Sequence, residues 1–223
     1  MTPKLFCEAM IKFLLGVLLV GVLIFLPAGT LAFVRGWILM GILFVPMFLA
    51  GIVMMIKSPG LLKSRLVAKE QAREQDLVVK LSGLMFVVGF VLSGLGHRFS
   101  WFTLPIGVSI GGAVLFLLSY VMYAFVLREN EYLSRTIKVE DGQRVVDTGL
   151  YGIVRHPMYS ATLVLFISIP IVLGSLPALA VFLAYPFLIA KRIKHEEQLL
   201  EKELQGYSEY KEKVKYRLIP FVW

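Results

Sequence analysis

The fold is decided by one apolar stretch, residues 159–190, which reads YSATLVLFISIPIVLGSLPALAVFLAYPFLIA. A single helix over this stretch would be about 48 Å long, whereas the hydrocarbon core of a bilayer is about 30 Å thick. The motif Gly174-Ser175-Leu176-Pro177 in its middle is typical of a turn. The sequence therefore predicts a tight hairpin of two membrane-spanning helices.

The composition of the whole chain agrees with a membrane protein. The 223 residues are 58 % hydrophobic and 17 % charged, and the mean hydropathy is +0.78. A soluble domain carries about 25 % charged residues, because polar groups must cover its surface. This excludes an ordinary soluble domain, a disordered chain and a nucleic-acid-binding module, although the net charge is +8. The lone Cys7 excludes an intramolecular disulfide, and the spacing of His, Asp and Glu predicts no metal site.

Four further apolar stretches are predicted as spans, for which a bilayer takes roughly 20 residues, and the third of them is short. They are residues 13–33, 37–56, 81–95 and about 101–127. The first is expected to stay in the protein as a span and not to be removed as a signal peptide. The polar segment 57–80 opens with Ser58-Pro59-Gly60 and predicts an interfacial amphipathic helix, and another amphipathic helix is predicted after the hairpin.

The sequence thus predicts an all-α, polytopic integral membrane protein of about six spans, organised as a single membrane domain over residues 1–223. Residues 1–127 form its N-terminal spans and residues 128–223 its polar C-terminal region. With this count, all basic residues except Arg35 and Arg98 lie on one side, together with every acidic residue. The positive-inside rule then predicts cytoplasmic N- and C-termini, in the cell inner membrane if the protein is bacterial.

The first polar cluster that could form a binding or catalytic site is the segment 145–159, directly before the hairpin. Gly149 permits a tight turn, and Pro157 suits the first turn of a helix. His156 is therefore predicted at the start of that helix, where backbone amides favour a ligand carboxylate. The alternative is an interfacial loop whose Arg155 and His156 contact lipid phosphate.

The second polar cluster is the segment 191–200, directly after the hairpin. Arg192 and Glu196 are four residues apart and can pair along one helix face. Glu196 and Glu197 are adjacent and cannot both point in the same direction. The alternative is a solvated charged face with weak salt bridges.

Several signatures are absent from the sequence. It contains no Rossmann-type glycine motif, no P-loop and no nucleophile elbow, so these nucleotide and hydrolase sites are not supported. Charged residues are nearly absent from the predicted spans, which disfavours an ion pump or a proton-relay transporter.

Taken together, the order and spacing of motifs in residues 129–223 resemble the C-terminal region of the isoprenylcysteine carboxyl methyltransferase family, within a wider group that includes phospholipid N-methyltransferases. The matching pieces are Gly149-x-Tyr151, Arg155-His156-Pro157-x-Tyr159, Arg192-x-x-x-Glu196-Glu197-x-x-Leu200, Gly206-Tyr207-x-x-Tyr210 and Leu218-Ile219-Pro220. One departure is Leu150, where many relatives have proline, which removes a rigid turn residue.

The resemblance implies a membrane-embedded methyltransferase that uses S-adenosylmethionine without the soluble methyltransferase fold. The cofactor pocket would lie in the C-terminal region, and the acceptor would be a lipophilic or prenylated small molecule that enters from the lipid. Carried over by position, the implied cofactor-binding residues are Gly149, Leu150, Tyr151, Arg155, His156, Pro157, Tyr159, Glu196 and Glu197. The implied catalytic residues are Arg192, reaching toward the acceptor, and Glu197 as its near partner.

The chemistry of these residue types leaves several functions open. A carboxylate acceptor is ionised near pH 7 and needs only orientation by a guanidinium, as in O-methylation of a prenylcysteine-like substrate. An amine acceptor, as in a phospholipid N-methyltransferase, would need Glu197 as a base. Further alternatives are a non-catalytic membrane protein and an NADPH-dependent lipid or sterol reductase. The basic groups available to that reductase are Lys191, Arg192, Lys194 and Arg217.

Overall fold

The fold is a bundle of membrane-spanning helices. The computed structural model describes residues 3–66, 73–130, 132–133, 139 and 142–223. The chain is 78 % helical, and no strand occurs in these described residues. Five helices are long and apolar enough to cross a membrane, and Pro157–Leu173 is a shorter apolar helix. The prediction of an all-α polytopic membrane protein is confirmed.

The first five helices are α1 (Pro3–Ala28), α2 (Val34–Lys57), α3 (Pro59–Leu66), α4 (Arg73–Phe99) and α5 (Ile106–Glu129). Several boundaries differ from the sequence prediction, and two of them have a clear physical reason. Helix α1 ends before Gly29, which has φ of 67°, and so does not extend to residue 33. Helix α4 starts well before residue 81, because its polar first turns hold good helix formers and an Asp76–Lys80 salt bridge of 2.6 Å.

The helices of the C-terminal half are α6 (Pro157–Leu173), α7 (Leu176–Phe182), α8 (Tyr185–Glu203) and α9 (Tyr207–Lys213). The predicted hairpin turn is confirmed. Gly174 adopts the left-handed conformation with φ of 70°, and the Ser175 side chain caps α7 by accepting from the Ala178 amide at 3.3 Å. The second arm continues through α8, so the polar segment 191–200 extends from the bundle as helix.

Close helix packing holds this hairpin in the bundle. Helix α6 packs along α5. The contact at Gly112 is too close for a side chain, because a Cβ atom there would lie only 2.6 Å from Ile171 Cγ2. Small residues at such crossings let membrane helices approach each other. Helix α4 packs against both α1 and α7, around the fully buried Phe182 and Ile24. The start of α6 is therefore held by neighbours on several sides.

The bundle has two ends of different character. We call the end at which α6 begins the cleft end, and the end with the Gly174-Ser175 turn the turn end. Helix α3 lies at the cleft end, because Lys12 Nζ near the start of α1 donates to the Leu66 carbonyl oxygen at 2.8 Å. Helix α3 is the described part of the predicted interfacial helix. Residues 67–72 of that segment lie outside the described residues.

Candidate active site

The loop before α6 and the segment after α9 are joined by backbone hydrogen bonds. The Arg155 amide donates to the Tyr216 carbonyl oxygen, and the His156 amide donates to the Arg217 carbonyl oxygen, both at 2.9 Å. His156 lies directly before α6, and Pro157 is the first residue of that helix. Proline suits this position, because the first amide of a helix has no intrahelical acceptor. This pairing places the C-terminal segment 216–217 against the first predicted polar cluster.

Glu197 of α8 forms the centre of the junction. Its Oε1 accepts from Arg155 Nε at 2.8 Å, its Oε2 accepts from Arg217 Nε at 2.9 Å, and His156 Nε2 lies 3.3 Å from Oε1. Arg155 also donates from Nη1 to the Val214 carbonyl oxygen at 2.6 Å. Glu197 is only 3 % exposed, so its charge is compensated by the two guanidinium groups and not by water. This network connects α8 to both segments of the backbone pairing, residues 155–156 and 216–217.

Tyr159 of α6 connects Arg192 and Glu196 of α8. Arg192 Nε donates to Tyr159 Oη at 3.0 Å, and Tyr159 Oη donates to Glu196 Oε2 at 2.5 Å. The tyrosine hydroxyl thus lies between Arg192 and Glu196, which the helical spacing alone would allow to pair directly. Glu196 Oε1 lies 4.0 Å from His156 Nδ1, so the two adjacent glutamates flank the histidine ring.

A cleft opens beside this relay at the cleft end of the bundle. Its wall combines phenol rings with charged groups. The loop before α6 provides both kinds, α8 provides charged groups and α9 provides phenol rings. The lining includes Tyr151, Tyr159, Tyr207, Arg155, Arg192 and Glu196. Such a wall provides aromatic faces for a cation or a flat ring, and a carboxylate that can complement positive charge.

The tyrosines that line the cleft differ in how their hydroxyl groups are satisfied. Tyr210 Oη donates to the Tyr151 carbonyl oxygen at 2.7 Å, and Asn130 Nδ2 donates to Tyr151 Oη at 2.9 Å. The buried Tyr207 Oη has no hydrogen-bond partner within the described part of the chain. Burial raises the pKa of Tyr207, and the negative charges of Glu197 and Glu196 raise it further. Burial also raises the pKa of Tyr151 to about 12. The Tyr207 hydroxyl is therefore a neutral donor without an acceptor among the described residues.

Gly149 is required by the turn that presents Tyr151. It has φ of 52°, and the Glu129 carboxylate occupies the position that a Cβ atom would take. Residues Gly149–Gly152 form a short 3-10 helix, in which the Tyr151 amide donates to the Thr148 carbonyl oxygen at 2.9 Å. The turn forms with Leu150 in the position that many relatives fill with proline, because these contacts define it.

The predicted site residues divide into two groups in the structure. Those that line the cleft are Tyr151, Arg155, His156, Tyr159, Arg192 and Glu196. Gly149, Leu150, Pro157 and Glu197 lie next to these lining residues and support them. Arg155, His156 and Arg217 are the partners that the structure shows for Glu197, whereas the resemblance implied Arg192 as its near partner.

Some residues of the site were not predicted. The cleft wall also contains Asn130, Met158, Tyr207 and Tyr210, and Arg217 completes the Glu197 network. The spacing of Tyr207 and Tyr210 was a usable signal, because residues three apart share one face of a helix. Asn130 and Arg217 carry no such signal, since only the tertiary fold brings them to the site.

A comparison with known families places this region. Residues 111–202 match the model of the isoprenylcysteine carboxyl methyltransferase (ICMT) family. The matched segment contains α6, α7 and nearly all of α8, with the loop that precedes them. This confirms the resemblance over that segment and supports a membrane methyltransferase. Tyr207 and Tyr210 of the cleft wall and Arg217 of the Glu197 network lie beyond the matched segment.

A relative with a different activity matches the chain as well. A Delta(14)-sterol reductase of Mus musculus is 33 % identical over 91 residues, which are 40 % of this chain and 22 % of the reductase. The matched region is thus about a fifth of the length of that curated relative.

Proposed function

We propose that the chain is an S-adenosylmethionine-dependent methyltransferase of the membrane that esterifies a carboxylate on a lipophilic, prenylcysteine-like acceptor. The observation that carries the proposal is the Arg192–Tyr159–Glu196 relay on the wall of an aromatic cleft, within the segment that matches the ICMT family. All named cleft residues fall in the region 128–223, which supports its assignment as the cofactor-binding and catalytic part of a single membrane domain.

The cleft residues suit the proposed cofactor. S-adenosylmethionine supplies an electrophilic methyl group on a sulfonium, together with an ammonium, a carboxylate and an adenosine. Glu196 can hold a positive group, and the rings of Tyr151 and Tyr159 can face a cation or stack on adenine. The unpartnered Tyr207 hydroxyl can donate to a ligand oxygen or nitrogen. Because a buried donor without an acceptor is costly, this hydroxyl is itself an argument for a bound ligand.

The reaction requires mainly orientation. The acceptor carboxylate attacks the methyl carbon in line, so that an oxygen–carbon bond forms and the sulfur keeps the electron pair of the broken bond. The products are a neutral ester and a neutral thioether, and no proton moves. Tyr159 holds Arg192 by its Nε, which sets the plane of the guanidinium beside the cleft. A fixed guanidinium can orient a carboxylate in two-point fashion, and such positioning supplies most of the acceleration.

The surroundings of Glu197 favour the carboxylate acceptor over an amine. A general base must accept a proton, but Glu197 is buried and bound by Arg155 and Arg217, which stabilise its ionised form. An amine acceptor would need such a base, whereas a carboxylate needs none. We therefore assign Glu197 as a positioning residue that holds Arg155 and His156 in the wall of the cleft.

The proposal is tested with detergent-solubilised protein in two steps. Calorimetric titration should detect S-adenosylmethionine binding, and methyl-labelled donor should then transfer its label to a prenylcysteine as a base-labile ester. Tyr159→Phe removes both hydrogen bonds of the relay and should lower kcat. It should also lower the free energy of unfolding by about 1–3 kcal/mol, because the buried Arg192 Nε loses this acceptor. A protein that binds no S-adenosylmethionine contradicts the proposal. Label that resists base would instead indicate N-methylation of an amine such as a phospholipid headgroup.

A reductase is the second candidate, and the sterol reductase match is the observation that favours it. An NADPH site would need basic side chains for the phosphates. In the structure, Arg192 bonds to Tyr159 and Arg217 bonds to Glu197, while Lys191 and Lys194 are exposed. Competing titrations with NADPH and S-adenosylmethionine separate the two functions, and a chain that binds neither would be a non-catalytic membrane protein.

We also propose that the cleft end faces the cytoplasm, in the inner membrane if the protein is bacterial. The start of α1, helix α3 and the cleft lie at this end, which carries most of the basic residues. Cys7 is exposed near the start of α1 and is the only cysteine in the sequence. Its chemical labelling therefore shows which side of the membrane the start of α1 faces. An impermeant maleimide should label Cys7 only from the cytoplasmic side, and Ser100→Cys in a Cys7→Ala background only from the other side. The reverse pattern contradicts this orientation.

A further inference from the structure

Arg65, near the end of α3, reaches from the interfacial helix to the start of α6. Its Nη1 and Nη2 atoms lie 4.0 and 3.9 Å from Met158 Sδ, and Met158 is part of the cleft wall. Its guanidinium carbon lies 5.5 Å from the centre of the Tyr123 ring on α5. A cation from a segment outside the ICMT match thus lies beside the cleft.

The guanidinium of Arg65 is poorly satisfied by the protein. Its Nε is buried and has no hydrogen-bond partner among the described residues. Within that part of the chain, the hydrogen-bond acceptor that its terminal nitrogens reach is the weakly accepting sulfur of Met158. No carboxylate of the described residues pairs with it, although guanidinium groups bind oxyanions in two-point geometry. Leaving a partly buried charged donor unsatisfied is costly, so an anionic ligand is the partner that this chemistry requires.

The position of Arg65 is built into the fold. Helix α3 begins with the Leu62 amide donating to the Ser58 carbonyl oxygen at 3.1 Å, and it ends with Lys12 Nζ on the Leu66 carbonyl oxygen at 2.8 Å. Leu62 is buried on one face of α3, and Lys63 is exposed on another. An amphipathic helix of this kind lies at the membrane interface, where the charged group of an amphiphile resides while its chain lies in the lipid.

We propose that Arg65 is the docking residue for the anionic group of the acceptor on the membrane side of the cleft. The inference rests on the proposed function and names the acceptor class as an amphiphile with an ionised oxyanion. Esterification removes that charge, so Arg65 would bind the carboxylate acceptor and would not bind the neutral ester product. Arg65 is then a specificity-determining residue that favours capture of the substrate and release of the product.

The test measures binding in the absence of a methyl donor, so that it does not depend on methyl transfer. The full chain in nanodiscs of neutral phosphatidylcholine is titrated with N-acetyl-farnesylcysteine and with its methyl ester. The wild type should bind the carboxylate about 10- to 100-fold more tightly than the ester, as expected for hydrogen bonds to a charged group. Arg65→Gln should lower this preference about 5- to 15-fold and leave the affinity for the ester unchanged, since Arg192 can still bind the carboxylate. Arg65→Lys should lower the preference less.

Two matched controls separate docking from general charge effects. Lys63→Gln removes a charge from the same helix, and Arg98→Gln removes a guanidinium that also lies 5.5 Å from an aromatic ring, that of Phe99. Both should keep the preference for the carboxylate. Loss of affinity for carboxylate and ester alike in Arg65→Gln would show a merely structural role and overturn the proposal.

A competition experiment identifies the source of the anion. Phosphatidic acid added to the nanodiscs should compete only weakly with the carboxylate in the wild type. Strong competition that disappears in Arg65→Gln would assign the residue to a lipid phosphate and overturn its role in acceptor docking. A wild type that shows the carboxylate preference but transfers no methyl group would contradict the proposed function and leave the docking residue in place.

Discussion

The two ends of the bundle use arginine in opposite ways. At the turn end, Arg35 Nη2 donates to the Leu104 carbonyl oxygen at 2.8 Å, and its guanidinium covers Gly174 of the hairpin turn. At the cleft end, Arg155 and Arg217 bind the buried carboxylate of Glu197, beside a wall of tyrosines. The turn end is closed by backbone groups, whereas the cleft end depends on side-chain charges.

This difference separates stability from ligand binding. The backbone also pairs at the turn end, where the Leu104 amide donates to the Gly174 carbonyl oxygen at 2.9 Å. Among the described residues, Tyr207 Oη and Arg65 Nε are buried without partners at the cleft end, whereas near the turn end such a group is the small Ser109 hydroxyl. Groups that the protein leaves unsatisfied are available to a ligand, so substitutions at the two ends should have different consequences.

The largest effect is expected from Glu197→Ala. This substitution leaves two guanidinium groups without their carboxylate, and breaking a buried ion pair costs about 3–5 kcal/mol of the free energy of unfolding. Thermal unfolding in detergent should show a strong decrease, and S-adenosylmethionine binding should be lost. Glu196→Gln is the matched control, because Glu196 lines the cleft and should affect ligand affinity more than stability. Wild-type stability of Glu197→Ala would contradict the central role of this network.

Gly174→Ala should destabilise the turn end, with a smaller loss in the free energy of unfolding than Glu197→Ala. The residue has φ of 70°, and the Arg35 guanidinium occupies the position of the new methyl group. We expect a loss of about 1–3 kcal/mol in the free energy of unfolding, with unchanged cofactor affinity in the folded fraction. Gly111→Ala is the control, since a Cβ atom there meets nothing within 4 Å and alanine favours a helix. Weaker cofactor binding in folded Gly174→Ala would show that the two ends are coupled.

Two tyrosine variants compare a cleft hydroxyl that has a hydrogen-bond partner with one that has none among the described residues. Tyr210→Phe removes the hydrogen bond to the Tyr151 carbonyl oxygen and should lower the free energy of unfolding by about 1 kcal/mol. Tyr207→Phe removes a hydroxyl without a described partner, so stability should not fall, whereas affinity for S-adenosylmethionine should fall about 5- to 15-fold. Titration calorimetry and thermal unfolding measure both quantities. Unchanged cofactor affinity in Tyr207→Phe would remove this residue from the proposed pocket.

The smallest effect is expected from Asp147→Asn at the surface. Lys213 Nζ donates to Asp147 Oδ2 at 2.8 Å and lowers the pKa of that carboxyl. A lowered pKa stabilises the folded state above the ordinary carboxyl pKa, and this contribution is lost as the pH falls through the lowered value. Exposed pairs are worth little, so the unfolding midpoints of variant and wild type should nearly coincide at pH 7 and converge fully in acid. A difference that grows toward acid would contradict this assignment.

The fold could be predicted largely from local features. Hydropathy defined the spans, and Gly174 with its neighbours defined the hairpin turn, because a turn depends on the residues within it. The start of α4 was wrong, since the polar residues before residue 81 continue the helix instead of ending it. Hydropathy marks where a chain meets lipid, and it does not mark where helical hydrogen bonding stops.

The site could be predicted only in part, and the glutamates show why. Spacing along the helix allowed Arg192 to pair with Glu196, but Tyr159 from α6 lies between them. The resemblance implied Arg192 as the partner of Glu197, whereas the partners observed are Arg155 and Arg217 from outside α8. Six of the predicted residues line the cleft, and their roles in binding remain proposals.

Local properties of the chain fix which segments enter the lipid and where the chain turns, because the solvation of apolar residues and the preferences of glycine and proline act within short stretches. The packing of the helices sets the partners of Glu197, the approach of Arg65 to Met158, and the lack of a partner for the Tyr207 hydroxyl among the described residues. Such contacts join residues that are far apart in the chain, and their geometry depends on how the helices cross and how closely they pack.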